Sequence, residues 1–238
     1  MIPRLRWTLA LALSLATGCA SYTALSQEER GRIESQYARS DRPEFLKLSY
    51  YVTPFFGDPA KTLLTPVPPD EVRLLEDPSG KPIAPGDIQT VLPAGTPVVI
   101  DKIEFPTSLA VTERILYTPR TQPWVYLRVP GAAKAQPLIL VLRPNLKSEP
   151  EVRAELARYL TEADPAPLLA KWPKSVQEAV ARKHALVDMS SQALEMAWGY
   201  PERIQRTFED VGRKETWRYP GGTRKAELLD DRVVDLTP

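Results

Sequence analysis

Apolar and polar positions divide the chain into an apolar leader, a polar stretch, a long β-patterned region and a tail that turns helical and then extended. Residues 98–105 (VVIDKIEF) alternate in their second half, and 124–129 (WVYLRV) and 138–142 (LILVL) are short apolar runs bounded by Pro or Gly. Each reads as a strand. Residues 72–76 (VRLLE) and 115–117 (ILY) read the same way, and 77–80 (DPSG) reads as a turn. Short strands at this spacing within 44–146 predict a small antiparallel barrel or sandwich.

At Ser148 the period changes. Ser148, Pro150 and Glu151 make a helix start with Pro inside the first turn, and Val152, Leu156, Tyr159 and Leu160 follow at helical spacing. A second helix is expected over 174–186, with a short helical segment at 166–172. Ser190 is the expected N-cap of a further helix, with Met189 and Leu194 placed as a hydrophobic staple. Leu194, Ala197 and Trp198 line its inner face, Gly199 closes it and Pro201 forbids its continuation. Extended runs follow at 202–208, 214–219 and 223–229, the last leading through Asp230 and Asp231 into 232–236. The predicted fold class is α+β: a small β-rich barrel-like domain, a helical lead-in, and a two-layer module of helix plus antiparallel three-stranded sheet.

Composition supports this division. Of 25 prolines, 21 fall between Pro43 and Pro173, which argues against long helices there. One Cys (Cys19) and one His (His184) cannot build an intrachain disulfide or a Cys/His metal site, and no loop has the ligand spacing of an all-carboxylate cation site, so neither metal nor cofactor is expected. The formal charge is +1, and loss of Arg4 and Arg6 with a cleaved leader leaves 29 basic against 30 acidic residues. Without clustered Lys and Arg, nucleic acid is not an expected partner.

The leader carries the sharpest signal. Arg4 and Arg6 precede an apolar run at 7–16, too short for a hydrocarbon core of about 30 Å but right for a signal peptide. The run ends in Leu15-Ala16-Thr17-Gly18-Cys19, which resembles the lipobox of bacterial lipoproteins. That resemblance implies cleavage after residue 18 and acylation of Cys19, so that membrane lipid becomes the first expected partner. Ala16 stands where the family more often has Leu. Ala20 after the Cys implies sorting to the outer membrane, facing the periplasm. The alternative is a plain secretory leader cut near Ala20, which would discard Cys19. Residues 19–43, polar and charge-mixed, are expected to act as a lipidated tether that is partly helical, with Ser26 and Glu29 placed as a capping box.

Two further resemblances bear on the folded part. The phrase LPAGTPVVIDKIEF at 92–105 is similar to the strand entry of bacterial barrels of the Src-homology-3 type. Asp188-Met-Ser, Ala197-Trp-Gly-Tyr-Pro201, Trp217, Tyr219 and Asp231-Arg-Val-Val234 resemble the SmpA/OmlA family of outer-membrane lipoproteins, which includes an accessory subunit of the β-barrel assembly machine. Asp188 replaces the usual Gly of that motif, and Asp231-Arg232 replaces Asp-Gly. The resemblance covers about 50 residues and implies an interaction module within 147–238, with other envelope proteins as partners.

The candidate contact residues are Trp124 and Tyr126, as a peptide- or glycan-binding face of the 44–146 domain, and Tyr219 beside the Pro-Gly-Gly loop. Against this stands the reading that all three serve packing, as Trp198 and Trp217 are expected to do. His184, Asp188 and Ser190 or Ser191 form the only triad-like set. Ser190 is already committed to capping and no nucleophile-elbow sequence surrounds it, so no enzymatic activity is expected. The expected function is an outer-membrane lipoprotein acting as an interaction or assembly module; the alternative is peptidoglycan binding through the β-rich domain.

Overall fold

The computed structural model describes residues 22–38, 42–132, 136–209 and 212–237. The leader at 1–18 and Cys19 lie outside the described residues. In chain order the first half holds α1 (Gln27–Tyr37), β1 (Glu44–Leu46), β2 (Tyr50–Phe55), β3 (Asp58–Thr65), a 3-10 turn at Pro69–Glu71, β4 (Thr90–Leu92), β5 (Pro97–Glu104), α2 (Ser108–Glu113), β6 (Trp124–Arg128) and β7 (Leu138–Val141). The second half holds α3 (Glu149–Tyr159), β8 (Leu160–Thr161), α4 (Ala166–Leu169), α5 (Lys174–Ala181), α6 (Ser191–Trp198), β9 (Arg203–Glu209), β10 (Gly212–Arg218), β11 (Lys225–Leu229) and β12 (Arg232–Thr237).

The first eight strands form one sheet in the order β4-β2-β3-β7-β6-β5-β1-β8. All pairings are antiparallel except β3 with β7. Val52 of β2, near one edge, shares a single core cluster with Leu46 and Leu160 of β1 and β8 at the other. The sheet therefore curls into a half-barrel. Alternation along β6 and β7 sorts the two faces: Val125, Leu127 and Leu140 point into that core, while Trp124 and Ile139 join Phe55, Leu63 and Val72 in a smaller cluster outside it.

Residues 19–43 are not a free tether over the described part. Ser26 and Glu29 form the expected capping box, and α1 docks through the buried side chains of Leu25 and Ile33. Two apolar residues suffice because both enter the half-barrel core. Two expected strands are absent. Residues 72–76 follow the 3-10 turn and contribute only an isolated bridge, Glu76 to Pro82. Residues 115–117 form an exposed turn after α2, which Thr107 caps through Ala110 N.

The C-terminal module has the expected helix on a sheet, but the sheet has four strands, β12-β11-β10-β9, rather than three. Asp230 and Asp231 both adopt positive φ (45° and 67°), and this tight reversal lays β12 against β11 as a full strand. Ser190 caps α6 as expected, and Gly199 ends it at φ 87°. Trp198, Trp217, Ala226, Leu228 and Val233 fill the space between helix and sheet.

The two sheets are bolted together. Ser49 donates its backbone N–H to Met196 O (2.8 Å) and its hydroxyl to Val180 O (2.6 Å), and its hydroxyl oxygen accepts from Ala94 N (2.9 Å). The buried Lys183 ammonium donates to Ser49 O and Ala197 O, both at 2.7 Å. Its burial, with Arg224 nearby, holds the Lys183 pKa well below the ordinary lysine range. Glu71 and Arg224, also buried, form a bidentate ion pair with two 2.6 Å contacts. Gly221 (φ 85°) passes so close that a Cβ there would lie 3.1 Å from Glu71 Cγ.

Candidate functional site

Trp124 and Tyr126 open β6 on the outer face of the half-barrel, where they border a polar pocket of about 330 Å³ with Asp58, Lys61, Glu104 and Arg114. Trp124 is only 2% exposed. Phe55 meets its ring edge-on, with centroids 4.8 Å apart, and the Arg114 guanidinium lies 3.7 Å from the ring centroid. Its indole N–H donates to Pro119 O at 2.9 Å. Tyr126 is half-buried, with the Lys102 ammonium 4.2 Å over its ring and its hydroxyl 3.3 Å from Glu104. Cations thus occupy both rings where a sugar or peptide would have to stack.

Glu104 organises this corner. It accepts from Lys102 Nζ (2.7 Å) and Arg114 Nε (2.9 Å). Burial alone would push its carboxyl up, but these two donors outweigh it and hold the group below the ordinary carboxylate range.

Tyr219 is fully buried between the two sheets. Trp198 meets it edge-on at 5.2 Å and Arg224 lies 4.7 Å from its ring. The position was expected to contact a partner; the structure makes it the wall of the ion-pair clasp, because the 220–222 loop folds back over Glu71. Its hydroxyl is buried without a hydrogen-bond partner among the described residues. Burial pushes the phenol well above its usual range. Tyr219→Phe should therefore raise the free energy of unfolding, by up to about 1 kcal/mol, since it removes an unsatisfied buried hydroxyl. A urea titration reads this directly, and a loss of similar size would mean that the hydroxyl is bonded after all.

The triad-like set does not converge. α5 ends before His184, whose side chain is exposed and makes no hydrogen bond to Asp188, Ser190 or Ser191. Ser190 Oγ accepts from Ala193 N, and Asp188 O accepts from Arg232 Nη1.

Two features that sequence reasoning passed over are more accessible. The first is β9. Among the described residues it pairs with β10 alone, so the other edge of this seven-residue strand is open. Ile204, Arg206 and Phe208 stand opposite Trp217, Glu215 and Arg213 on the helix side of the sheet. α6 covers Trp217 and stops short of Phe208, which is 82% exposed. Between them Glu215 accepts from Arg206 Nε (2.8 Å) and Trp217 Nε1 (2.7 Å), and these donors hold its carboxyl below the ordinary range although burial pushes it up. A lone aromatic in an alternating run near a hairpin end was the available signal.

The second is the excursion at 105–123 between β5 and β6. It exposes Leu109 (67%), Leu116 (65%) and Tyr117 (66%) together with Ile115. Buried arginine fixes it: Arg114 Nη1 donates to Arg120 O (2.6 Å) and Gln122 O (2.7 Å), and its Nη2 to Glu104 O (3.1 Å). Arg120 Nε in turn donates to Val111 O (2.8 Å). Apolar side chains are thus displayed on a braced loop.

No protein-family model, curated protein or solved structure matches this chain.

Proposed function

We propose that this chain is an outer-membrane lipoprotein, held through acylated Cys19, that acts as a non-catalytic interaction module facing the periplasm. The observation that carries the reading is the open β9 edge with Phe208 exposed beside it. Along this seven-residue strand every second residue turns its backbone donor and acceptor to the open side, a template for an added strand, and proteins that do not use such an edge commonly shorten, bulge or cover it. Phe208 supplies an apolar anchor next to that edge, at the end of the sheet that α6 leaves bare. The resemblance of 188–234 to the SmpA/OmlA family points the same way, towards other envelope proteins such as the β-barrel assembly machine. The occupied rings of Trp124 and Tyr126 favour this reading over peptidoglycan binding.

A photo-crosslinking amino acid placed at 208 in living cells tests it. The expected result is a discrete adduct with an envelope protein, absent when the same group replaces Ile88, an exposed apolar residue of the other sheet region. Equal labelling from the two positions, or none from 208, would overturn the reading.

A further inference from the structure

The braced excursion at 105–123 lies beside the point where the chain leads back to Cys19. Tyr22, the first described residue, donates its backbone N–H to Pro106 O at 3.2 Å, at the root of that excursion. Two residues lie between Cys19 and Tyr22, so three Cα-to-Cα steps span at most about 11 Å even when fully extended. An acylated Cys19 would therefore bring the bilayer surface to this end of the half-barrel, where Leu109, Ile115, Leu116 and Tyr117 are exposed.

We infer that the 105–123 excursion is a membrane-contact element, seating Leu109, Ile115, Leu116 and Tyr117 in the headgroup and upper acyl region of the bilayer that holds Cys19. The inference rests on the reading of Cys19 as the lipid attachment point and extends it from a point of attachment to a fixed docking geometry. Its chemistry suits the interface. The segment contains one acid, Glu113, which lines the polar pocket together with Lys61 and Ile115. Its two bases, Arg114 and Arg120, turn inward onto main-chain carbonyls. The exposed tip at 115–117 thus carries no charge to strip of water. Tyr117 and the half-exposed Tyr22 are residues that settle where hydrocarbon meets headgroups. The bracing by Arg114 and Arg120 means that docking orders little that was free, so the apolar transfer is not offset by lost loop entropy. The consequence is a preferred orientation on the membrane.

The test uses the full lipidated chain. Cys19 is the only cysteine, and its sulfur is blocked once acylated, so a cysteine introduced elsewhere takes a thiol-reactive fluorophore uniquely. Leu116→Cys, Leu109→Cys and Val234→Cys, the last an exposed control on β12, are labelled and reconstituted in protein-free phosphatidylethanolamine/phosphatidylglycerol vesicles. Blue-shifted emission and quenching by brominated acyl chains are expected at 116 and 109 but not at 234. Circular dichroism of each variant establishes that the fold is kept. Mass spectrometry of the N-terminal peptide separates the two readings. An acylated terminus with 116 and 109 as water-exposed as 234 would overturn the membrane contact alone, and an unacylated terminus would remove both. A blue shift at 116 seen only in native membranes, and never in protein-free vesicles, would assign the surface to a protein partner and equally overturn the inference.

Discussion

Arg224→Met, with Glu71 left in place, is expected to lower the free energy of unfolding by about 3–5 kcal/mol, the usual cost of stranding one member of a buried ion pair. Glu71 and Arg224 are 4% and 8% exposed, and the guanidinium lies against both the Trp198 and Tyr219 rings, 5.0 and 4.7 Å from their centroids. The buried carboxylate would be left without its cation, with the 220–222 loop packed close against its side chain at Gly221. The cost is that of an uncompensated charge, so it should largely disappear when both residues become apolar. Glu71→Leu combined with Arg224→Met is expected to recover most of the lost stability. Urea unfolding of the two single variants and the double variant measures the coupling. If the double variant is as unstable as Arg224→Met alone, the pair contributes shape rather than charge neutralisation.

The second large effect is expected from Arg114→Ala, about 3 kcal/mol or more. Three carbonyl oxygens and one oxygen of the Glu104 carboxylate lose the Arg114 donor, and the cation over Trp124 is removed. Arg114→Lys should restore little of this, since a single ammonium cannot reach acceptors spread around a planar fork. The loss should be uneven: amide exchange in 105–123 should rise towards that of an open loop while β10 and β11 keep their protection. A pH signature accompanies it. The Glu104 carboxyl is held below its free value of 4.5, so its contribution is full above that value and is lost as pH falls through the lower folded-state value. Arg114→Ala removes one of the donors that lower it, and the acid-side decline in stability should become shallower in the variant. Urea midpoints across pH 3 to 7, as the order of the titration window for such a carboxylate, record the difference. An unchanged acid limb would show that Lys102 alone sets the Glu104 value.

These two arginines also mark where sequence reasoning stops. Signals confined to a few neighbouring residues were legible: the Ser26, Ser148 and Ser190 caps, the Gly199 terminus, the Asp230-Asp231 reversal, and the strands over 98–105, 124–129 and 138–142. Each depends on hydrogen bonds or alternation within one turn or one strand. Arg114 and Arg224 look like surface charges because their partners are main-chain carbonyls, or a carboxylate 153 residues away. The same holds for the aromatic residues. Alternation tells that Trp124 and Tyr126 share a face, but not that Arg114 and Lys102 cover it. The Tyr219 position beside a Gly-rich loop suggested exposure, yet the loop folds inward. The strands β2 and β3 went unassigned individually, and their pairing with β4 and β7 is a matter of distant contacts. The lipobox-like sequence ending at Cys19 is of another kind, since it is proposed to be read by a processing enzyme rather than by packing.

The pairing of Phe45 with Thr161 has a consequence for how the chain matures. An early strand waits for one more than a hundred residues downstream, Ser49 waits for Val180 and Met196, and Glu71 waits for Arg224. A polypeptide emerging from its amino end cannot complete its first core until most of its length is available, so closure is late and slow by the logic of contact order. Such a chain stays incompletely folded until its last strands are available, and it needs protection from aggregation until the final hairpin arrives.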